Sequence, residues 1–181
     1  MRYKAAIIIG ISIIGFFLYF FILHSLFPTS KYFDKKIAVT QSLELNVPAG
    51  TMPYKNLLLH FFLFYPDDLQ KKEYTGGSDS TITFNNAETG RGFQIFVVPY
   101  SEDRIVPEQF KKDLPSGVIE DPVEILIDGA PAIMFYSKDA VMGDTREVWF
   151  IKNGFLYEVT TYRDLDAWLS AIMQSWRFLE F

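Results

Sequence analysis

The chain has 181 residues, of which 49% are hydrophobic and 22% charged, a composition typical of a folded protein. Its net charge of -5, without any cluster of lysine and arginine, argues against a nucleic-acid-binding protein. The absence of cysteine excludes disulfides, thiolate nucleophiles, cysteine metal sites and lipidation on cysteine.

An apolar run occupies residues 5–27, AAIIIGISIIGFFLYFFILHSLF, and contains no aspartate, glutamate, lysine or arginine. At ~1.5 Å per residue, a helix of this length crosses a hydrocarbon core of about 30 Å. A cleaved signal peptide would have a shorter apolar region, about 7–15 residues, followed by a small-residue cleavage site, and none follows here. We therefore predict that residues 1–27 form a single transmembrane anchor that contacts the lipid bilayer through residues 5–27.

The charges beside this run favour an orientation only weakly. Arg2 and Lys4 precede it, and Lys31, Lys35 and Lys36 follow it. The charges closest to the membrane favour a cytoplasmic N-terminus and a domain outside the cytoplasm, while the reverse orientation stays open.

Residues 28–53 are predicted to be a juxtamembrane linker, with a short strand at residues 42–47 where apolar residues alternate. A turn-rich stretch at residues 48–53 places the start of the folded domain, residues 54–181, near its end. Residues 57–65, LLLHFFLFY, are too short for a membrane helix and are predicted to form a strand buried on both faces, ended by Pro66. A polar stretch begins at Asp67.

Three hairpins and two helices are predicted in the rest of the chain. Proline in a first helical turn predicts a short helix at residues 107–112, and Asp164 is expected to cap a second, C-terminal helix. The apolar stripe of that second helix comprises Leu165, Trp168, Leu169, Ile172, Met173 and Trp176. The hairpins pair residues 81–85 with 93–98, residues 123–127 with 130–136 around Asp128-Gly129, and the two halves of residues 147–162 around Asn153-Gly154.

The third hairpin has two unequal faces. A two-residue turn pairs Lys152 with Phe155 and Trp149 with Glu158, and paired residues share a face. One face is then almost entirely apolar, and we expect the C-terminal helix to cover it. The other is mixed, and we expect Glu158 to reach water at its rim. A sheet covered on both sides fits this pattern.

About seven strands, mostly in hairpins, with two helices indicate an α+β fold, an antiparallel sheet with helices packed on it. The chain resembles the PsbP-like domains, and the resemblance implies an α/β/α sandwich over residues 54–181. Residues that would dock such a protein on a photosystem have no match here, so that function is not implied. The resemblance is carried by FYP at residues 64–66, IDGAPA at 127–132, EVWF at 147–150, LYEV at 156–159 and SWRF at 175–178.

No catalytic, cofactor-binding or metal-binding motif is apparent. His60, the only histidine of the predicted domain, lacks a second histidine or a carboxylate cluster, so a structural role is favoured. The acidic residues at 67–68, 79 and 102–103 lack the spacing of a calcium loop. The possible contacts for a ligand or a partner are His60, Trp149 and Glu158.

The sequence therefore favours a membrane-anchored, non-catalytic binding or assembly-support module whose partner is another membrane or envelope protein. One alternative is a module that binds a small ligand or lipid in a cleft between the sheet and the mid-chain helix, near His60. The third is a hydrolase, which would need polar groups that converge only in the folded chain.

Overall fold

The computed structural model describes residues 47–180. The predicted anchor (1–27), most of the linker (28–53) and all but the last residue of the predicted strand at 42–47 lie outside the described residues. Within residues 47–180, no helix is both long enough and apolar enough to cross a membrane.

The described residues form two antiparallel sheets and two short helices. The helices are α1 (Pro107–Asp113) and α2 (Asp166–Met173), and a 3-10 turn (Arg163–Leu165) precedes α2. The strands are β1 (Thr51–Asn56), β2 (Phe61–Pro66), β3 (Gln70–Gly76), β4 (Asp79–Asn85), β5 (Gly92–Pro99), β6 (Glu120–Ile127), β7 (Ala130–Asp139), β8 (Gly143–Lys152), β9 (Phe155–Tyr162) and β10 (Arg177–Phe178).

Seven strands form the larger sheet, in the order β3-β4-β5-β9-β8-β7-β6, and three form the smaller one, β1-β2-β10. The α+β class with an antiparallel sheet is confirmed. Six of the predicted strands lie in the larger sheet, the predicted strand at residues 57–65 corresponds to β2 of the smaller sheet, and the sequence interpretation missed β1, β3 and β10. Strand β1 begins at Thr51, within the stretch assigned to the linker.

Both predicted two-residue turns are present. In the β8–β9 hairpin Lys152 pairs with Phe155 and Trp149 with Glu158, as predicted. Asn153 and Gly154 have φ values of 54° and 78°, so both occupy the left-handed region that a type I′ turn requires. This turn matches the strand twist, which is why the sequence signal fixed the register.

The main core lies on the first face of the larger sheet. Phe150 and Tyr157 from the β8–β9 hairpin pack against Trp176 after α2, and Phe61 of β2 stacks on Trp176 at a ring-centroid distance of 4.4 Å. The hydroxyl of Tyr157 donates a hydrogen bond to the carbonyl of Leu59 at 2.7 Å. The C-terminal helix therefore covers this face as predicted, and the smaller sheet shares that role.

Two local predictions are wrong. Residues 57–60 form a turn rather than the start of a strand, because the Asn56 side-chain oxygen accepts hydrogen bonds from the backbone N–H groups of Leu58 and Leu59. This leaves the Leu58 side chain 85% exposed. Asp164 does not cap α2, because the chain enters that helix through the 3-10 turn and makes no side-chain cap hydrogen bond.

Helix α1 covers part of the second face of the larger sheet. Phe110 of α1 stacks on Trp149 with ring centroids 5.0 Å apart, and Leu114, just after the helix, joins the same apolar cluster with Phe135 and Leu156. The larger sheet is thus covered on both sides. The covering on the second side is incomplete, and a cleft remains beside α1.

Candidate ligand-binding cleft

The cleft lies between the second face of the larger sheet and the C-terminal end of α1, with a volume of about 360 Å³. Strands β4, β5, β7, β8 and β9 form its floor. Asp113, Leu114 and Pro115 at the end of α1 form one wall. The cleft is open to solvent, so a small molecule has a route into it.

Two glutamates lie on the floor of the cleft because of the hairpin register. Glu147 of β8 is opposite Thr160, and Glu158 of β9 is opposite Trp149, so all four side chains share one face. The two glutamates are therefore diagonal neighbours on adjacent strands in the interior of the sheet. Glu147 is 4% exposed and Glu158 is 6% exposed.

Glu147 has hydrogen-bond donors from its own sheet. The Thr160 hydroxyl donates to Glu147 Oε2 at 2.7 Å, and the Trp149 indole N–H donates to the same oxygen at 3.3 Å. Burial raises the pKa of Glu147, and these hydrogen bonds offset part of that rise. The hairpin thus holds the Glu147 carboxyl in one orientation.

Glu158 has fewer hydrogen-bond partners than Glu147 among the described residues. Its Oε1 atom is buried and has no hydrogen-bond partner among the described residues. Burial is the main cause that raises the pKa of Glu158 to about 9. A hydrogen bond with Asp113 and the charges of Asp113 and Glu147 add to the rise, and the charge of Lys112 opposes it. We therefore expect Glu158 to keep its proton at neutral pH, and its Oε1 atom is a buried acceptor in the floor of the cleft.

The remaining charged groups of the lining come from α1 and β7. The Gln109 side-chain amide donates a hydrogen bond to Asp113, which ends α1. Asp139 accepts backbone N–H hydrogen bonds from Met142 and Val141 at 2.8 Å and 2.7 Å, and these lower its pKa. Lys138 also lines the cleft. The lining therefore carries an excess of acidic groups.

A second depression, of about 670 Å³, lies on the other side of Trp149. We call it the apolar groove; its lining includes Ile105 and Phe110, together with Ile125, Ile133 and Ile151 of the sheet. It reaches the edge strand β6, where the Leu126 side chain is 70% exposed. Trp149 separates the cleft from the groove and contributes to both.

The structure brings two of the three predicted site residues together. Trp149 and Glu158 are paired across β8 and β9, but both are buried, so the expectation that Glu158 reaches water at the rim is wrong. His60 lies in the β1–β2 turn, with its ring 6.3 Å from that of Phe155 on the opposite face of the sheet. A cleft between the sheet and the mid-chain helix exists, but His60 is not part of it.

Sequence reasoning missed Glu147 and Asp113 as cleft residues. The hairpin register already placed Glu147 on the same face as Glu158, and that was the available signal. The described residues contain no group of three histidine, aspartate or glutamate side chains that could hold a metal ion.

Comparison with known proteins supports the fold. Neither a protein family nor a curated protein matches the sequence of the chain. The structure is similar to the solution structure of cyanobacterial PsbP (CyanoP) from Synechocystis sp. PCC 6803, with a TM-score of 0.53 and 10% sequence identity over 72% of this chain and 93% of that chain. An identity this low is informative about the fold alone, and the chain has the PsbP-like fold that its sequence predicted.

Proposed function

We propose that this protein is a membrane-anchored, non-catalytic binding module and that its ligand enters the cleft beneath α1. The observation that carries the proposal is Glu158, a buried acid in the lining of an open cleft, one oxygen of which has no hydrogen-bond partner among the described residues. Burying an unsatisfied polar atom costs about 1–3 kcal/mol of stability. A ligand that satisfies the atom would explain why the site contains it.

The cleft supports binding better than hydrolysis. Among the described residues that line it there is no histidine, and its serine, Ser137, lies 3.5 Å from the hydroxyl of Ser116 rather than beside a base. The Thr160 hydroxyl is already engaged with Glu147. The polar side chains of the cleft are therefore better suited to bind a molecule than to activate a nucleophile.

The membrane part of the proposal rests on residues 5–27. Because the native chain has no cysteine, a thiol introduced by Ser101→Cys in the exposed loop before α1 is the only one present. We expect this thiol to be labelled by a membrane-impermeant maleimide in intact cells. Labelling that requires permeabilised membranes would contradict a domain outside the cytoplasm, and recovery of the protein in the soluble fraction would contradict the anchor.

Blocking the cleft tests the binding proposal. Thr81 of β4 lines the cleft, whereas Thr83, on the same face of the same strand, does not. We expect a small-molecule and lipid extract of the source cells to raise the melting temperature of the wild type and of Thr83→Trp, but not of Thr81→Trp. The intact chain in detergent is used throughout. Equal effects on the two variants, or no effect on the wild type, would contradict the proposed binding site.

The non-catalytic assignment has its own test. The same extract is incubated with the wild type and with Glu158→Gln, and its components are compared by mass spectrometry. We expect no component to be consumed. Consumption by the wild type that Glu158→Gln abolishes would identify an enzyme instead.

A second candidate function is docking of a membrane or envelope protein, and the apolar groove favours it. The groove has isoleucine side chains from three strands, and Val123 and Leu126 are exposed on its edge strand. A photo-crosslinking residue at Leu126 in the intact membrane protein should then give a discrete crosslinked product. Tyr74, exposed on the opposite edge strand β3, is the matched control. Equal products from both positions would contradict docking at the groove.

A further inference from the structure

We infer that the cleft binds a small organic cation, an ammonium group on a short apolar stem, whose charged end lies between Glu158, Glu147 and Asp113. This inference rests on the proposed function of the cleft as a ligand site and specifies the class of ligand.

The charge of the lining favours a cation. Four carboxyl groups line the cleft, from Asp113, Asp139, Glu147 and Glu158, against the ammonium of Lys138 in the lining and that of Lys112 beside it among the described residues. None of the ion pairs among the described residues includes Glu147 or Glu158. An anion entering this cleft would meet like charge, whereas a cation would relieve it.

One oxygen of Glu158 lacks a hydrogen-bond partner among the described residues. The side chain is more than nine-tenths buried and lines the cleft, and Oε1 can only accept a hydrogen bond when the other oxygen carries the proton. A ligand that satisfies this oxygen would therefore have to supply an N–H or O–H donor. An ammonium group has three donors and no acceptor, which matches a site in which carboxyl oxygens surround the ligand.

Part of the lining is apolar and suits the stem of such a ligand. Trp149 lies beside Glu158, and Phe96 of β5 lies opposite it in the sheet. Leu114 and Met142 complete an apolar part of the lining. Aromatic and aliphatic side chains accommodate methylene groups. A volume of about 360 Å³ suits an amine of a few carbon atoms.

Binding of a cation should be coupled to the release of a proton. Glu158 faces Glu147 on β8, Lys112 and Asp113 on α1, and Lys138 and Asp139 on β7. An ammonium beside Glu158 favours the charged carboxylate, so the proton leaves to solvent as the ligand binds. Because Glu158 is protonated below about pH 9, the affinity should rise with pH across the neutral range.

The experiment is calorimetric titration of the intact chain in detergent with n-butylammonium, 1-butanol and butyrate, which share a stem and differ in charge. We expect only n-butylammonium to bind, with an affinity that rises about tenfold per pH unit between about pH 6 and about pH 8. Glu158→Gln should lose this pH dependence and bind at least tenfold more weakly at the higher pH. Glu88→Gln, in the exposed loop between β4 and β5, should behave as the wild type.

Each other outcome overturns the inference. Binding of butanol or butyrate in preference to the amine, blocked by Thr81→Trp, would refute a cation but leave the cleft as a ligand site. Amine binding that is independent of pH or unaffected by Glu158→Gln would place the amine elsewhere. If no probe binds, the inference fails. Stabilisation by the cell extract that Thr81→Trp abolishes would then still support the proposed function. If the extract does not stabilise the wild type either, the proposed function fails as well.

Discussion

Replacing Glu158 with glutamine should stabilise the protein at neutral pH. Glutamine has nearly the same shape, its carbonyl can occupy the position of Oε1, and its amide can donate to Asp113 across the cleft. It does not carry an ionisable proton. The substitution therefore removes the cost of keeping a buried carboxyl protonated and leaves the packing around Trp149 unchanged.

The magnitude follows from the two pKa values of Glu158. The pKa is about 9 in the folded protein and 4.5 for an ordinary glutamate, so between these values the folded chain holds a proton that the unfolded chain has released. The wild-type free energy of unfolding must then fall as pH rises through this window, by ~1.4 kcal/mol per unit. The advantage of Glu158→Gln should be near zero at about pH 4.5 and about 3 kcal/mol at pH 7.

The assay is urea unfolding of the intact chain in detergent, followed by tryptophan fluorescence at a series of pH values. Glu88→Gln, which removes a carboxyl from an exposed loop, is the matched control and should show no growing advantage. A difference between wild type and Glu158→Gln that stays constant from about pH 5 to about pH 8, or that has the opposite sign, would refute the reasoning. Glu158 would then be ionised and hydrated, and the conclusion that it is buried in the floor of the cleft would be wrong.

Two further predictions concern stability outside the cleft. Gly92→Ala should cost about 2 kcal/mol or more in urea unfolding, since a Cβ there would lie 2.7 Å from the backbone carbonyl of Phe84, whereas Gly76→Ala, with nothing within 4 Å, should be almost neutral. Asp166→Ala should cost about 2–3 kcal/mol, because it removes the partly exposed carboxylate that pairs with the buried Arg146 guanidinium. Arg146→Met should cost less than Asp166→Ala, and the reverse order would contradict this account.

The hairpins were predictable from local chemistry. Asp128-Gly129 and Asn153-Gly154 supply the positive φ values of their turns, and each turn sets the register of the strands beside it. Strand β3 was not predictable in this way. Its residues, QKKEYTG, are all exposed at the edge of the sheet, so no alternation of apolar and polar side chains marks it.

The turn before β2 shows how a local hydrogen bond overrides an apolar pattern. Residues 57–65 are apolar almost throughout, which predicted one buried strand. The side chain of Asn56 instead binds two successive backbone N–H groups and starts a turn, and His60 ends it with a φ of 54°. Asparagine at the head of the run was the available signal. This turn places His60 away from the cleft.

The cleft itself depends on contacts between distant parts of the chain. The register placed Glu147, Trp149 and Glu158 on one face, but it did not determine whether that face met water or another element. Helix α1 decides this, because Phe110 stacks on Trp149 and Asp113 approaches Glu158. The pKa of Glu158 is therefore a property of the packed layers and could not be inferred from the strand sequence.

Buried ionisable side chains have different partners on the two faces of the β8–β9 hairpin, and that contrast supports a ligand in the cleft. On the core face, Arg146 donates to the carboxylate and the carbonyl of Asp166 and to the Ser170 hydroxyl, so its charge has partners within the chain. On the other face, Glu147 and Glu158 are similarly buried, and neither forms an ion pair within the described residues. Buried carboxyl groups without a cationic partner lower the stability of a folded protein. Since the same hairpin pairs Arg146 within the chain, the unpaired state of Glu147 and Glu158 among the described residues is better explained by a cation from outside the chain than by the needs of the fold.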